Sequence, residues 1–260
     1  MSFTIALAGK GGTGKTTVAG LVIHYLLERA QKPILALDGD ANSNLQDVLG
    51  VQVDNTIGRV REDVLESIST LPAGMTKEAY MELKLQQALV EAEGFDLLVM
   101  GRPEGPGCYC YANSIFRKYI DMILSNYKFV VMDNEAGMEH LSRHTTQNVD
   151  LLLIVSDPTV RGVQSAARIS GLVDELKLRI AERFLVIDRA PEKLPPSLIE
   201  EIGKAGLELV GTIPEDKWIT EYDLVGEPLI SLPATSAAVE AVNKIMEKIK
   251  VVDFRAKRGA

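Results

Sequence analysis

Residues 9–17, which read GKGGTGKTT, constrain this chain more than any other segment. They match the phosphate-binding pattern G-x-x-x-x-G-K-[ST]. The preceding residues 3–8 are apolar enough for a buried strand, and residues 18–29 carry apolar side chains at helical spacing. Because strand, loop and helix follow one another in the order that this motif requires, the segment predicts a site for a nucleoside triphosphate.

The loop residues have separate physical roles. Glycines allow consecutive backbone N–H groups to turn towards phosphate oxygens, and the helix N-terminus adds a partial positive charge. Lys15 adds a full charge, and the Thr16 hydroxyl is expected on Mg²⁺. The predicted nucleotide-binding residues in this segment are Gly11, Gly12, Thr13, Gly14, Lys15, Thr16 and Thr17.

Strands and helices alternate along almost the whole chain. Further apolar, strand-like runs lie at residues 34–37, 95–100, 129–133, 151–155, 184–187 and 207–211, and helices are predicted near 113–125, 160–176 and 235–250. This order predicts a single-domain α/β P-loop NTPase over residues 1–250, with a mostly parallel twisted sheet and helices on both faces. Residues 251–260 are expected to form a flexible tail. The polar residues 51–93 are expected to be largely helical. We hypothesise from their polarity and position that they contact a partner protein.

Composition excludes several other classes. The formal net charge is −8, which disfavours non-specific binding to nucleic acid or to an anionic membrane. No apolar run reaches the roughly 20 residues of a transmembrane helix, and the N-terminus has no signal region. We therefore expect a cytoplasmic protein without a nucleic-acid or membrane partner.

Carboxylates lie at the ends of the strands predicted at residues 34–37 and 129–133. Asp38 and Asp40 come after residues 34–37, and Asp133 ends residues 129–133. Ligands of open α/β sheets bind at the carboxyl ends of strands. Beside a phosphate loop, Asp133 is expected to hold Mg²⁺ through water.

A second lysine precedes the double glycine of the loop. With Lys10, the segment KGGTGKT resembles the deviant phosphate loop of the MinD/ParA/nitrogenase-iron-protein class of ATPases. The resemblance implies slow hydrolysis of ATP to ADP and phosphate in a homodimer, with Lys10 reaching the partner's phosphates as an arginine finger would. It also implies that Asp40 orients the attacking water and that Asp133 lies near Mg²⁺. Catalytic roles are thus expected for Lys10, Lys15, Asp40 and Asp133.

The base-binding segments are predicted from the same resemblance. Members of the class often have Asn after the strand equivalent to residues 184–187, where this chain has Asp188 and Arg189. A carboxylate only accepts hydrogen bonds, which suits the adenine amino group or the N1–H and N2–H₂ of guanine. The loop with Pro214, Glu215 and Asp216 is expected to form the other wall. ATP is the expected nucleotide, and GTP is the alternative.

The only two cysteines, Cys108 and Cys110, lie in one tripeptide of a Gly/Pro-rich loop. A disulfide between residues two apart would be strained. A closed tetrahedral thiolate site needs four ligands, and a two-fold dimer would supply each cysteine twice. The pair therefore favours a metal site at a dimer interface over two simply buried thiols.

The loop MGRPEGPGCYC (100–110) and the segment DNEAGMEH (133–140) together resemble the CooC-type maturation ATPases, over about residues 3–250. The resemblance implies a nickel metallochaperone for carbon monoxide dehydrogenase or acetyl-CoA synthase. Cys108 and Cys110 would then bind Ni²⁺ or Zn²⁺ between subunits. His140 and His144 have a spacing that could ligate metal, but a structural or signalling role is favoured for them.

Two other classes remain as alternatives. Nitrogenase iron protein also bridges its dimer with two cysteines per chain, around an iron–sulfur cluster, but those cysteines are well separated. A ParA- or MinD-like positioning ATPase would act on DNA or membrane. The closing helix 235–250 has Val239, Val242, Ile245 and Ile249 on one face, which indicates core packing instead of a membrane anchor.

Overall fold

The computed structural model describes residues 2–40, 42–67, 74–101, 120–135 and 148–251. In chain order the strands are β1 (Phe3–Gly9), β2 (Ile34–Asp38), β3 (Leu89–Glu91), β4 (Phe95–Val99), β5 (Phe129–Asp133), β6 (Asn148–Ser156), β7 (Arg179–Ala190) and β8 (Leu209–Pro214). The helices are α1 (Lys15–Glu28), α2 (Leu45–Leu49), α3 (Ile57–Ser67), α4 (Lys77–Gln87), α5 (Val160–Glu175), α6 (Pro196–Ala205), α7 (Lys217–Val225) and α8 (Ala237–Ile249), with a 3₁₀ turn at Leu229–Ser231. Residues 120–125 are also helical.

These strands form one eight-stranded sheet in the order β3-β4-β2-β5-β1-β6-β7-β8. Every pairing is parallel except that of β3 with β4. The first strand lies in the interior of the sheet, with β5 on one side and β6 on the other. The predicted α/β fold with a mostly parallel sheet is confirmed.

Side chains of β1 alternate between two apolar cores, as the two-residue period of a strand requires. Ile5 and Leu7 pack in the core that contains α1 and α8. Ala6 and Ala8 pack in the core that contains residues of α3, α4, α5 and α6. Both faces of the sheet are therefore covered, which explains why β1 has no polar face in the sequence.

Register places the polar strand ends side by side. Asp38 of β2 pairs with Asp133 of β5, and Leu7 of β1 also pairs with Asp133. The carboxyl ends of β1, β2 and β5 thus meet at one edge, beside the loop that joins β1 to α1. These polar strand ends lie together because the strands pair in this register.

Several elements differ from the sequence expectation. The strand β7 is 12 residues long where four were predicted, and β3, α6 and α7 were not predicted. The start of α6 had a usable signal, since proline is favoured at the first helical position and Pro196 occupies it. For residues 113–125, the structure describes only 120–125, which are helical as predicted.

Helix starts are set by side-chain caps. The Thr76 hydroxyl accepts from the N–H of Ala79 at α4, and the Thr159 hydroxyl accepts from Gly162 N–H at α5. At α8 the Ser236 hydroxyl accepts from Val239 N–H. Such caps each stabilise a helix by about 1 kcal/mol. Within the described ranges, none of the helices has the length and apolar character needed to cross a bilayer.

Candidate nucleotide-binding site

Two glycines shape the phosphate loop between β1 and α1. Gly12 has φ +77° and Gly14 has φ +85°, a region that strongly favours glycine. A Cβ atom at Gly14 would lie 2.2 Å from Oδ2 of Asp188. Glycine is therefore required at position 14 both by its backbone conformation and by the close approach of β7.

The carbonyl oxygen of Lys10 is the internal acceptor of this loop. It lies 2.9 Å from the Thr13 hydroxyl, 3.4 Å from the Thr13 amide nitrogen and 3.3 Å from Nζ of Lys15. The buried Lys15 ammonium thus donates to its own loop. Lys10 itself is exposed. Of the two lysines, one faces the loop interior and the other is accessible to a second molecule.

Asp133 brings two buried, unpartnered oxygens to the loop. Its residue exposure is 1%, and neither carboxyl oxygen has a hydrogen-bond partner of ordinary geometry in the described chain. Burial raises its pKa to about 6; the nearby Thr16 hydroxyl and Lys15 ammonium oppose this shift, and Asp40 adds to it. Buried oxygens without donors suit a hard cation or the water bound to it.

Asp38 holds the loop that follows β2. Its side chain is fully buried, with Oδ1 2.9 Å from the amide nitrogen of Asp40 and Oδ2 3.0 Å from that of Leu45. Burial raises the pKa of Asp38 to about 7, and the negative charges of Asp133 and Asp40 act in the same direction, against these two N–H donors. Sequence reasoning gave Asp38 no role of its own, although an aspartate ending an apolar strand was a visible signal.

Asp40 is half-buried, whereas Asp38 and Asp133 are buried. Its Oδ1 accepts from the amide of Asn42 at 2.8 Å, and its carbonyl accepts from Ser43 N–H at 3.0 Å. The turn that carries Asp40 is thus held at both ends, by Asp38 before it and by residues 42–43 after it. Asn134 gives similar support to β1, because its side-chain amide donates to the Leu7 carbonyl at 2.8 Å.

The end of β7 contacts the other side of the loop. Arg189 donates from Nη2 to the Gly12 carbonyl at 2.6 Å, and its Nε lies 3.5 Å from Oδ2 of Asp188. Asp188 is buried, which raises its pKa to about 6 against the Arg189 backbone N–H and guanidinium. The predicted base-binding pair therefore touches the phosphate loop directly.

The predicted second wall lies on the neighbouring strand. Pro214 ends β8 and pairs with Ala190, next to the Asp188–Arg189 pair, and Glu215 is exposed. The Asp216 carboxylate is engaged elsewhere: it accepts from Trp218 N–H, Ala238 N–H and the Ser236 hydroxyl at 2.9, 2.9 and 2.6 Å. Burial alone would raise the pKa of Asp216, but these bonds more than offset it and hold the pKa below its usual value. A nucleotide contact from Asp216 stays a prediction.

The structure thus brings most predicted site residues to one edge of the sheet. Those on the phosphate loop, on the ends of β2 and β5 and on the ends of β7 and β8 are Lys10, Gly11, Gly12, Thr13, Gly14, Lys15, Thr16, Thr17, Asp40, Asp133, Asp188, Arg189, Pro214, Glu215 and Asp216. Cys108, Cys110, His140 and His144 lie outside the described residues. In the described ranges, no group of three or more His, Cys, Asp or Glu side chains could hold a metal ion. A phosphate loop needs no such group, since a hydroxyl and phosphate oxygens hold its Mg²⁺.

Comparison with known proteins agrees with this geometry. Residues 4–229 match the family model of the CobQ/CobB/MinD/ParA nucleotide binding domain. The chain is 43% identical to an uncharacterized ATP-binding protein of Methanocaldococcus jannaschii, covering 94% of this chain and 97% of that protein. It is 30% identical to the carbon monoxide dehydrogenase accessory protein CooC of Rhodospirillum rubrum, covering 85% and 87%. Among solved structures, the cell division ATPase MinD of Pyrococcus furiosus superposes with a TM-score of 0.67 at 25% identity, covering 97% of this chain and 100% of MinD.

Proposed function

Because the chain belongs to the CobQ/CobB/MinD/ParA nucleotide-binding family and is an ATPase, we propose that it is a nucleotide-switched homodimer that delivers nickel to carbon monoxide dehydrogenase or acetyl-CoA synthase. The observation that carries the nickel role is the Cys108-Tyr109-Cys110 tripeptide in a chain 30% identical to a CO dehydrogenase accessory protein. The ATP-dependent switch is supported by two features of one phosphate loop: Lys10 is exposed, and the buried Asp133 carboxylate has no partner among the residues that the structure describes.

Within one subunit, the described residues divide the work of ATP binding. Lys15 would exchange the Lys10 carbonyl for phosphate oxygens, and the loop amides would bind the remaining phosphate charge. Thr16 and, through water, Asp133 would hold Mg²⁺, which would neutralise charge on the phosphates. Asp40, positioned by Asp38, would orient the attacking water. Asp188 and the 214–216 loop would bind the adenine, with guanine as the alternative base.

Between subunits, two groups would act. Lys10 is exposed and so can reach the phosphates of a partner, where its charge would stabilise the transition state. Cys108 and Cys110 of both chains would supply four thiolates to one Ni²⁺ or Zn²⁺, carried as cargo between the subunits. ATP binding would draw the subunits together, and hydrolysis would weaken the dimer and release the metal or the client.

A positioning ATPase is the second candidate, favoured by the likeness to P. furiosus MinD. Cosedimentation with anionic liposomes or DNA in the presence of ATP tests this role. The acidic chain is expected to remain in the supernatant. Nucleotide-dependent pelleting with either would favour the positioning role over the metal role.

The metal role is tested by anaerobic titration with Ni²⁺ and Zn²⁺, combined with light scattering in ADP and in ATP. Wild type is compared with the double variant Cys108→Ser/Cys110→Ser and with Tyr109→Phe, which keeps both thiols as a matched control. We expect one metal per two chains in wild type and Tyr109→Phe, coupled to dimerisation and lost in the double variant. Metal binding that is unchanged in the double variant would contradict the proposal. A brown protein with the absorption of an iron–sulfur cluster would instead support the electron-transfer alternative.

A further inference from the structure

The carboxyl end of β7 departs from regular strand geometry. Its pairing with β8 shifts register between Ile187 and Ala190, and Arg189 has φ +51°. A bulge re-aims side chains at the end of a strand, and a left-handed conformation is uncommon for a residue with a Cβ atom. Irregularities of this kind cluster at functional sites.

Arg189 reaches the backbone of the phosphate loop. Its guanidinium lies 2.6 Å from the Gly12 carbonyl, which belongs to the turn formed by residues 10–13. The opposite end of this turn is the Lys10 carbonyl, whose donors come from Thr13 and Lys15. One end of the turn is thus held from inside the loop, and the other is held by β7.

Asp188 completes the contact on the same side. Its Oδ2 lies 3.5 Å from Nε of Arg189 and close enough to Gly14 that no Cβ fits there. The two consecutive residues of β7 therefore touch both left-handed glycines of the loop. The side chain of Arg189 is 50% exposed, so burial of apolar surface does not explain its place.

We propose that Arg189 is a positioning residue that fixes the plane of the 10–13 turn, and with it the phosphate-binding amides and the backbone that carries Lys10. A carbonyl pinned at Gly12 fixes the peptide plane between Gly12 and Thr13, because the peptide unit is rigid. The loop is then pre-organised for phosphate before the nucleotide binds. This role differs from direct contact with the base, which the sequence resemblance implies for the same residue.

The test measures the affinity for ATP and for inorganic tripolyphosphate, which has no base or ribose. Arg189→Ala is compared with Arg189→Lys and with the control Arg183→Ala, which removes an arginine of the same strand that bonds Asp174 and the Ser170 carbonyl. Since a hydrogen bond from a charged group is lost, we expect Arg189→Ala to weaken both ligands by about tenfold or more. Arg189→Lys retains the charge and one donor, so it should recover part of the affinity. Arg183→Ala should stay within about twofold of wild type.

Three results would overturn the proposal. Unchanged affinity in Arg189→Ala would show that the contact of Arg189 with the Gly12 carbonyl has no effect on the loop. A loss for ATP alone, with tripolyphosphate binding intact, would make Arg189 a residue that contacts the nucleoside. A loss that Arg189→Lys does not recover, accompanied by a fall in Tm of more than about 5 °C without ligand, would make the residue a structural one.

Discussion

At the scale of single residues, the neighbours of several site residues restrict which side chain can occupy each position. Gly14 has no room for a Cβ atom, Asp133 has no hydrogen-bond partner of ordinary geometry among the described residues, and Asp38 has one backbone donor for each carboxyl oxygen. The first two of these arrangements each predict the direction in which a substitution changes stability and ATP binding or hydrolysis.

Gly14→Ala should abolish ATP binding and lower the free energy of unfolding by about 1–3 kcal/mol, because the new Cβ meets Asp188 in a left-handed backbone. The matched control is Gly171→Ala in α5, where nothing lies within 4 Å of an added Cβ. In a helix interior that change should instead stabilise the protein by about 0.5–1 kcal/mol. Urea denaturation and ATP titration of both variants check this, and equal effects at the two sites would contradict it.

Asp133→Asn should stabilise the protein without nucleotide at neutral pH while abolishing ATP hydrolysis. Folding raises the Asp133 pKa from 3.8 to about 6, so the wild type loses stability as pH rises through this window. The neutral amide avoids that loss. The unfolding free energy of Asp133→Asn should therefore exceed that of wild type by about 1–3 kcal/mol above pH 6 and by little near pH 4. Urea denaturation with EDTA across this range measures the difference.

Asp216→Asn is the control of opposite sign for this prediction. Folding lowers the pKa of Asp216, so its carboxylate adds stability above the unfolded pKa and loses it as pH falls. The variant should therefore be less stable than wild type at neutral pH. A difference between Asp133→Asn and wild type that does not change with pH would contradict the assignment of a buried, unpartnered charge.

At the scale of elements, β1 is the strand on which both cores depend. Leu7→Ala removes a fully buried side chain and should cost about 2–5 kcal/mol of unfolding free energy. Leu224→Ala removes a leucine that is 80% exposed and should change stability by less than about 0.5 kcal/mol. Chemical denaturation of the two variants makes the comparison. A similar cost at both positions would contradict the placement of β1 between the two cores.

The sequence predicted those elements whose periodicity is strong. Buried parallel strands such as β1 and β5 read as unbroken apolar runs, and α5 and α8 carry a clear apolar face. It did not predict β3, a three-residue edge strand that pairs only with β4, or α7, none of whose residues is buried. Weak periodicity leaves tertiary contacts to decide such elements.

In the candidate site too, some features could be predicted from the sequence and others could not. The phosphate loop could be predicted because its chemistry requires a fixed residue order. The Arg189 contact with Gly12 joins residues 177 apart and depends on a bulge, so no local pattern indicates it. The engagement of Asp216 by α8 likewise arises from residues 20 and 22 positions away.

At the scale of the whole molecule, the proposed dimer can be tested by mixing two different inactive subunits. If Lys10 acts in the partner's site, Lys10→Ala and Asp40→Ala should each be inactive alone. In the mixed dimer, the Lys10→Ala subunit keeps its own Asp40 and receives Lys10 from its partner. Random mixing should restore roughly a quarter of wild-type ATPase activity, since half the dimers each have one complete site. Steady-state phosphate release measures it, and no recovery on mixing would place Lys10 in its own subunit's site.

The pairing of Asp38 with Asp133 has a consequence for how this chain can change. Adjacent strands lie about 4.8 Å apart, and that spacing is set by the hydrogen bonds of the sheet. The separation between the residue that steadies the Asp40 turn and the carboxylate beside the phosphate loop is therefore a property of the backbone. Loops at this edge can lengthen, shorten or exchange residues while the spacing of the two strands that carry these carboxylates remains the same.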